Sequence, residues 1–468
     1  MDKVRKKLQE SVSFISSYLP LVNSHMVEFF SNDLWEAHVP NKIKTEFKEK
    51  HWNKENIIDI FLENLEASHS ELGRFIQSCS ANSLEKNEII IGIDELQKAF
   101  RMNRCSNMDC VNKDKFMSEK KFHEVKKMSE LVADLVRTTD ATHVIDIGDG
   151  KGYLSSYLSL VYKLQVLGLD SSTNLTQGAA ERANKLQKRW NSALNKFDIE
   201  DEPFNNETPS KTKSIEDTNK RNECYKQVTK FITYDTDLKN LLYEKFPGSI
   251  EYQYGLIGLH TCGNLSPICL RQFLYNNNAP FLVNIGCCYH LLEEGNDHES
   301  TFPMSNYLKQ SNFVLGRNAR MLSLQAPARI FVSKEIPQTL MFRAVFESFM
   351  EHKMGKCIGK GREVGRMRSK CSSFVEYSRK GIKKLGYNIH VSDEEIATFF
   401  EKYAPSLQFL EFYFMIRVVL APVIENIILL DRLLFLQENG IKHSFLVKLF
   451  DSYVSPRCYG IVAIRDKQ

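Results

Sequence analysis

The sequence predicts an α/β fold with a mainly parallel sheet, preceded by one helical region and interrupted by another. Two observations predict it. Between Met117 and Ile285, short apolar strands alternate with amphipathic helices, and the first strand ends in a glycine-rich turn, which is typical of a parallel sheet. In residues 1–115, apolar side chains recur at three- and four-residue spacing and strand-like alternation is hard to find, which predicts helices.

The predicted elements divide the chain into four consecutive regions. Residues 1–115 form a helical N-terminal domain, and residues 116–335 carry the sheet, with a polar, disordered insertion at about 200–223. Residues 336–440 are a helical insertion, and residues 441–468 add two strands that complete the sheet. The strands predicted within the sheet domain span 143–147, 164–169, 228–234, 254–259 and 281–285.

The composition is that of a globular chain. Hydrophobic residues make up 43% and charged residues 26%, which excludes a wholly disordered chain or a fibrous repeat. The net charge of +4 implies no partner by itself, so a nucleic-acid interface would need a local basic patch. Eleven cysteines are too sparse for a disulfide framework, and no apolar secretory core follows the basic N-terminus. We therefore expect reduced thiols and a cytoplasmic or nuclear protein.

The most apolar stretch, residues 407–436, is long enough to cross a bilayer. It also contains charged side chains, each of which costs about 2.5–3.5 kcal/mol at the centre of a membrane helix. These are Glu411, Arg417, Glu425, Asp431 and Arg432. We therefore predict a buried helix pair, kinked or broken at Pro422, and no membrane association.

A glycine-rich loop, Asp146 to Gly152, lies between the first predicted strand of the sheet domain and the helix after it. Its glycines allow positive φ and let a ligand approach the backbone, and the helix N-terminus offers free amide donors. Gly148, Gly150 and Gly152 give the spacing G-x-G-x-G, whereas dinucleotide-binding loops have G-x-G-x-x-G. A phosphate-binding Walker lysine is absent, because glycine follows Lys151.

These features favour S-adenosylmethionine as the ligand, because it carries an amino acid and a sulfonium group but no phosphate. Asp146 is predicted to lie near the methionine ammonium group. Asp170 ends the second strand and is predicted to accept hydrogen bonds from both ribose hydroxyls, while Asp235, after the third strand, would lie near the adenine. The alternatives are a dinucleotide site and a ligand-free turn, and Asp235 is as readily explained as a plain turn residue.

Histidines and cysteines follow the next two strands, where the carboxyl ends of a parallel sheet border the same crevice as the glycine loop. His260 and Cys262 follow one strand, and residues 287–290 (Cys-Cys-Tyr-His) follow the other. Three interpretations remain open: a zinc site of two thiolates and two imidazoles, a catalytic cluster, or packing cysteines with structural histidines. In the catalytic interpretation His260 deprotonates or positions the acceptor, with Tyr289 and His290 as second choices.

Eight short segments share a pattern with a known family. They are Lys120 to Val125, Tyr153 to Ser155, Gly168 to Ser171, Leu259 to Gly263, Gly286 to Tyr289, Phe302 to Ser305, Leu420 to Pro422 and Leu429 to Arg432. Together with the glycine loop they resemble the class I S-adenosylmethionine-dependent methyltransferases and, more specifically, the methyltransferase-like protein 25 family, over nearly the whole chain. One departure is Asp149, where a small residue such as serine is expected.

The resemblance implies a Rossmann-like class I methyltransferase sheet of seven strands in the sheet domain and the C-terminal strands. It implies S-adenosylmethionine as cofactor and methyl transfer by in-line displacement, in which the protein chiefly orients donor and acceptor. It also implies that the helix with Lys121 and His123 packs over the donor pocket, where one of them meets the donor carboxylate. A solvated helix face is the alternative for both side chains.

RNA is the predicted substrate. Adenine-methylating enzymes have an Asn/Asp-Pro-Pro-aromatic segment where this chain has His260 to Gly263. A similar His-x-Cys-Gly, followed by Cys-Cys, occurs in a family of tRNA ribose 2′-O-methyltransferases. The basic run from Lys353 to Lys370 would contact RNA phosphates, unless it is a solvated loop or a nuclear-import signal.

Two further functions are alternatives to RNA methylation. One is methylation of a protein side chain, and the other is a non-catalytic binding module that retains the methyltransferase fold. We predict no metal site. The spacing of His260, Cys262 and residues 287–290 matches no standard zinc knuckle, and Cys105 and Cys110 have no second pair nearby.

Overall fold

The structure is a computed structural model that describes residues 1–50, 70–102, 117–197, 224–248, 252–333, 337–355, 364–365, 367 and 370–466. The predicted insertion at 200–223 and the pair Cys105 and Cys110 lie outside the described residues.

The chain forms two compact units that do not follow the predicted domain layout. The first unit comprises residues 1–8, 88–314 and 428–468, and the second comprises residues 9–87 and 315–427. Most of the predicted N-terminal domain and most of the predicted helical insertion therefore belong to one unit.

The first unit is built on a sheet of eight strands. They are β1 (Ile90–Gly92), β2 (His143–Ile147), β3 (Gln165–Asp170), β4 (Tyr225–Thr229), β5 (Tyr254–Cys262), β6 (Phe281–Cys287), β7 (His443–Lys448) and β8 (Tyr459–Ile464). Their order is β1-β7-β8-β6-β5-β2-β3-β4, and β8 runs antiparallel to both of its neighbours while all other pairs are parallel. The α/β class is confirmed, and the parallel crossovers place the glycine loop and the His/Cys segments at one edge.

The predicted count of seven strands is wrong, because β1 adds an eighth. Ile90 pairs with Leu446 of β7, and only Ile90–Gly92 takes part. A strand of this length is too short to reveal alternation in the sequence. The predicted strand 228–234 is also displaced. β4 ends at Thr229, because β3, its one neighbour among the described strands, ends at the paired residue Asp170.

The described helices surround the sheet or build the second unit. They are α1 (Asp2–Ser16), α2 (Leu19–Asn23), α3 (Leu34–His38), α4 (Asn41–Glu49), α5 (Glu71–Ala81), α6 (Ile93–Ala99), α7 (Glu119–Thr139), α8 (Tyr153–Tyr162), α9 (Thr173–Phe197), α10 (Leu238–Lys245), α11 (Leu265–Tyr275), α12 (Asn306–Gln310), α13 (Arg317–Leu322), α14 (Pro327–Ser333), α15 (Gln338–Met354), α16 (Phe374–Leu385), α17 (Asp393–Tyr403) and α18 (Leu407–Glu438).

The second unit is helical and has an aromatic core. Phe342, Phe346 and Phe349 of α15 are buried together with Phe374 and Tyr377 of α16. Ser373 and Ser392 begin α16 and α17 as N-caps, each accepting a hydrogen bond from the backbone N–H three residues on, which satisfies an otherwise unpaired helix donor.

Helix α18 passes through Pro422 without a break, so the predicted helix pair is wrong. Pro422 removes one backbone hydrogen bond, but the residues on both sides of it are fully buried, and their packing maintains the helix. By length and composition the helical segment Asp393–Glu438 is able to cross a membrane, and 89% of its most apolar window is buried inside the protein.

Two charged residues of α18, Arg417 and Asp431, have hydrogen-bond partners within their own units. The buried carboxylate of Asp431 accepts hydrogen bonds from the backbone N–H groups of Met304, at 2.7 Å, and Ser305, at 2.9 Å. The guanidinium group of Arg417 donates to the carbonyl of Val22 at 3.1 Å. These contacts explain why a largely apolar core helix retains charges.

The packing between β5 and β6 leaves no room for a side chain at Gly255, so a substitution there tests this packing. A Cβ atom at this position would lie 2.0 Å from the ring of Phe281 on β6. We expect Gly255→Ala to lower the free energy of unfolding by about 1–3 kcal/mol through overpacking, measured by urea denaturation of the full chain. Gly178→Ala is the matched control. Gly178 lies in α9, where a Cβ atom would meet no other atom within 4 Å, and alanine there should stabilise by at most about 1 kcal/mol. Equal denaturation midpoints for the two variants would contradict the packing argument.

Candidate active site

The glycine loop turns over the carboxyl end of β2 and leads into α8. Gly148, Gly150 and Gly152 have φ of 83°, 59° and 70°, a region that other residues rarely adopt. The Gly148 N–H donates to the carbonyl of Leu169 at 2.8 Å, which ties the loop to the end of β3. A Cβ atom on Gly152 would lie 2.4 Å from the Tyr225 hydroxyl, so this position also lacks room for a side chain.

Asp170 lies at the end of β3 and faces this loop. Its Oδ2 accepts a hydrogen bond from the Gly150 N–H at 3.0 Å, and its Oδ1 accepts one from the Ser172 N–H at 2.8 Å. A carboxylate oxygen has two lone pairs, so both oxygens are able to accept a further hydrogen bond.

Asp146, which is buried, and Asp149, which is half-buried, form a carboxyl pair below the loop. The Ser155 hydroxyl lies 3.0 Å from Asp146 Oδ2 and 2.7 Å from Asp149 Oδ1, and the Tyr225 hydroxyl donates to Asp149 Oδ2. Burial, and then the charge of Asp149, raise the pKa of Asp146 well above its usual range. Burial also raises the pKa of Asp149 to about 6, although hydrogen bonds from Tyr225 and Ser155 oppose the rise.

The structure explains how the loop accommodates Asp149 in place of a small residue. The side chain lies between α8, Tyr225 and β3, where a Cβ atom on Gly168 would be 2.3 Å from Asp149 Oδ2. The absence of a side chain at Gly168 therefore makes room for the extra carboxylate.

Helix α7 directs neighbouring side chains to different places. The Lys121 ammonium lies 4.4 Å from the ring centroid of Tyr153, the first residue of α8, and the Arg182 guanidinium lies 4.8 Å from the same centroid. Burial, followed by the charge of Lys151, lowers the pKa of Lys121. The structure thus brings Lys121 to the start of α8, where the glycine loop ends.

His123 is not brought to the same place. Its Nε2 accepts a hydrogen bond from the Asp451 N–H at 3.1 Å, and its ring packs against Phe450 after β7. Residues two positions apart lie on nearly opposite sides of a helix, so Lys121 and His123 cannot face one pocket.

His260 occupies a β-bulge, the extra residue between Leu259 and Thr261 where the register of β5 against β6 shifts. Its φ is 62°, a strained conformation for a residue with a side chain. Its Nε2 lies 3.1 Å from the buried Oε1 of Glu124 on α7, and the Ser455 hydroxyl donates to the same oxygen at 2.6 Å. The bulge and the contact with Glu124 together fix the direction of the imidazole.

Glu124 is a site residue that the sequence interpretation missed. Burial acts to raise its pKa, but the hydrogen bond and charge of His260, with the hydrogen bond from Ser455, outweigh burial, and the pKa lies below its usual value. One feature of the sequence indicates this role: Glu124 follows Lys121 by three residues, so both lie on the same face of a helix that is expected to cover the pocket.

Three thiols meet beside His260. Sγ of Cys262 lies 3.1 Å from Sγ of Cys287, which lies 3.8 Å from Sγ of Cys288, and all three sulfur atoms are within 4.8 Å of one another. Cys262 is exposed and Cys287 is buried. The hydrogen bond from Cys287 lowers the pKa of Cys262 to about 6 against the effect of burial, and the same interaction raises the pKa of Cys287.

Tyr289 and His290 lie on the short turn that follows β6. Tyr289 is buried, with the guanidinium groups of Arg432 and Arg457 at 5.4 and 5.8 Å from its ring centroid. His290 is half-buried on the same turn. The buried ring of Tyr289 anchors the turn.

The structure places Asp235 on an exposed turn, and part of the basic run lies outside the described residues. Asp235 is exposed on a turn whose carbonyls, at Thr233, Tyr234 and Thr236, accept hydrogen bonds from Gln272 of α11. In the basic run, Lys353 pairs with Glu395, and residues 356–363, 366 and 368–369 lie outside the described part of the chain.

Comparisons with known proteins show which family the chain resembles. A family model described as a methyltransferase domain matches residues 120–295, from α7 to just beyond β6. The chain is 31% identical to the human protein "Probable methyltransferase-like protein 25", with 99% of this chain and 98% of that protein covered. It is also 31% identical to the mouse protein of the same name, with 98% of this chain and 96% of that protein covered.

The pair of Asp146 and Asp149 makes stability depend on pH. Because the pKa values of Asp146 and Asp149 are raised, the folded chain keeps protons that the unfolded chain releases above about pH 4. The stability from this pair is present below about pH 4 and is lost as pH rises through about 6. We expect the Tm of Asp149→Asn to rise relative to that of the wild type as pH increases from about 4 to 7, because only the wild type loses stability from ionisation at this position.

The control for this measurement is Asp2→Asn, which removes an exposed carboxylate at the start of α1. Its Tm difference from wild type should stay constant over the same pH range. A difference for Asp149→Asn that is also constant with pH would contradict a proton-sharing pair.

Proposed function

We propose that this chain, which belongs to the methyltransferase-like protein 25 family and carries a methyltransferase domain, transfers a methyl group from S-adenosylmethionine to RNA. The observation that carries the proposal is the glycine loop after β2, with Asp146 before it and Asp170 facing it from β3. S-adenosylmethionine would supply a methyl group on a positively charged sulfur. A nucleophile would bond to the methyl carbon as the carbon–sulfur bond breaks in line, and S-adenosylhomocysteine would leave.

The residues at the loop fit this donor. Oδ1 of Asp146 is buried and has no hydrogen-bond donor among the described residues, so it suits an ammonium group. Asp170 has acceptor capacity on both oxygens for a pair of ribose hydroxyls. Lys121 of α7, whose ammonium group lies beside Tyr153 at the start of α8, supplies a positive charge for the donor carboxylate.

His260 is proposed to remove a proton from the acceptor or to position it. Because Nε2 faces the carboxylate of Glu124, Nδ1 is left as the hydrogen-bond acceptor of the ring. Glu124 acts through His260 by orienting the ring. Tyr289 and His290 remain second choices for this role.

The charge around the loop supports RNA as the acceptor. Lys121 and Arg182 flank Tyr153, and Arg182 also donates to the carbonyl of Lys151 at 2.7 Å. Three cations at the edge of the donor site suit a polyanion. A protein side chain as acceptor, and a non-catalytic binding module, are the outcomes that the experiments below would otherwise support.

Donor binding is tested by the thermal shift of the full-length chain with S-adenosylhomocysteine. At a hundred times the dissociation constant, linkage predicts about 2.7 kcal/mol of stabilisation, or roughly 3–5 °C for a chain of this length. We expect Asp170→Asn to lose the shift and Asp140→Asn to keep it. Asp140 precedes β2 at the opposite edge of the sheet and has the left-handed φ that asparagine also tolerates. A shift that is unchanged in Asp170→Asn would contradict the donor site.

The role of His260 is tested by transfer of a labelled methyl group to RNA. We expect His260→Ala to lower turnover by about a hundredfold while the S-adenosylhomocysteine shift is retained. Glu124→Gln should lower kcat to a smaller extent, with little change in KM, because it keeps a hydrogen-bonding side chain and removes the charge. His298→Ala, which changes an exposed loop residue, is the control.

The outcomes of this assay separate the alternatives. If the labelled methyl group appears in protein and not in RNA, the substrate is a protein side chain. Donor binding without transfer to either class would favour the binding module. Unchanged turnover of His260→Ala on a verified substrate would remove its proposed role.

A further inference from the structure

The ends of β5 and β6 bring three cysteine side chains to one side of the sheet. Cys262 and Cys287 are direct partners in the parallel register of these strands, so their side chains point the same way. Cys288 would face the opposite side in an extended strand, but its φ of 52° breaks the alternation. The result is a cluster of three sulfur atoms within 4.8 Å of one another.

We propose that Cys262, Cys287 and Cys288 bind a zinc ion through three thiolates. The proposal stands apart from methyl transfer, since it concerns ion binding by the cysteines alone. It differs from the zinc site considered from the sequence, which used two thiolates and two imidazoles. Nε2 of His260 is engaged by Glu124 at 3.1 Å, whereas the three sulfur atoms face one another.

The distances suit this ion. Zinc–sulfur bonds are about 2.3 Å, so two thiolates on a tetrahedral zinc lie about 3.8 Å apart. Cys287 and Cys288 are 3.8 Å apart, and Cys262 and Cys287 are 3.1 Å apart. Cys262 is the exposed member at the end of its strand, so its side chain is able to move outward by the roughly 0.7 Å required.

The surrounding charge suits three thiolates. Zn²⁺ with three thiolates carries a net negative charge, which needs compensation in a partly buried site. Arg457 acts electrostatically on Cys288, and Arg432 acts on Cys287. These two guanidinium groups also flank the ring of Tyr289, so two positive charges lie beside the turn after β6 that carries Cys288.

The three thiolates leave one coordination position open. Because Cys262 is exposed, solvent is able to reach the proposed site at the carboxyl edge of the sheet, which also carries the glycine loop. Zinc sites with three protein ligands and an open position are those that bind water or a substrate atom, whereas structural sites are closed by four protein ligands. The proposed site is therefore of the open kind.

Cobalt(II) is the probe for the test. The full-length chain is reduced, treated with a chelator, freed of both reagents and titrated with Co²⁺ without oxygen. We expect one equivalent with thiolate-to-cobalt charge-transfer absorption and the visible bands of four-coordinate Co²⁺, displaced on addition of Zn²⁺. Cys262→Ser combined with Cys288→Ser should abolish this spectrum, and Cys371→Ser, which changes a buried thiol of the second unit, should retain it.

Cys262→Ser alone guards against misfolding of the double variant, because its side chain is exposed. We expect the single variant to unfold at the wild-type temperature and to bind Co²⁺ at least about tenfold more weakly. Three results would overturn the proposal: absence of charge-transfer absorption in the reduced wild-type chain, a spectrum that persists in the double variant, or a Cys262–Cys287 disulfide that resists reduction in the folded protein.

Discussion

Glu124 brings a buried negative charge to the point where α7, the bulge of β5 and the loop between β7 and β8 meet. A buried carboxylate without partners costs several kcal/mol, so the folded chain must supply donors to it. His260 and Ser455 are those donors, at 3.1 and 2.6 Å from the same oxygen. Segments far apart in the sequence are thereby held in one arrangement, and the orientation of the His260 ring follows from it.

Two residues at the carboxyl ends of β5 and β6 have strained backbone conformations. His260 and Cys288 both have left-handed φ, and a residue with a side chain in this region costs about 1–3 kcal/mol. The hydrogen bond to Glu124 retains the first, and the buried ring of Tyr289 anchors the turn next to the second. Both strained residues lie at the carboxyl ends of β5 and β6, beside the proposed site, and such strain is commonly found at functional sites.

Features that depend on neighbouring residues in the chain could be predicted from the sequence. The positions of the glycine loop and of Asp170 follow from strand and turn signals, and the structure places them next to each other. The helical period implies that Lys121 and His123 cannot both face the donor site. Which of the two does so depends on how α7 packs on the sheet, and the sequence does not show that packing. The direction of Asp149 likewise depends on the space above Gly168, in the neighbouring strand.

Other features needed long-range pairing. β1 and the meeting of Cys262 with Cys287 are set by the register between strands, which no local pattern reveals. The role of Glu124 depends on residues that are distant in the chain for the same reason. The continuity of α18 through Pro422 depends on burial, which outweighs the local preference of proline to end a helix.

The position of β8 has a consequence for synthesis. β6 pairs with β5 on one side and with β8 on the other, and residues 315–427 of the second unit are translated between them. On the ribosome, β6 therefore presents an open edge while that whole intervening stretch is made, and open edges are templates for aggregation. The nascent chain is most exposed to misassembly before β7 and β8 emerge, so protection by chaperones matters during translation more than after it.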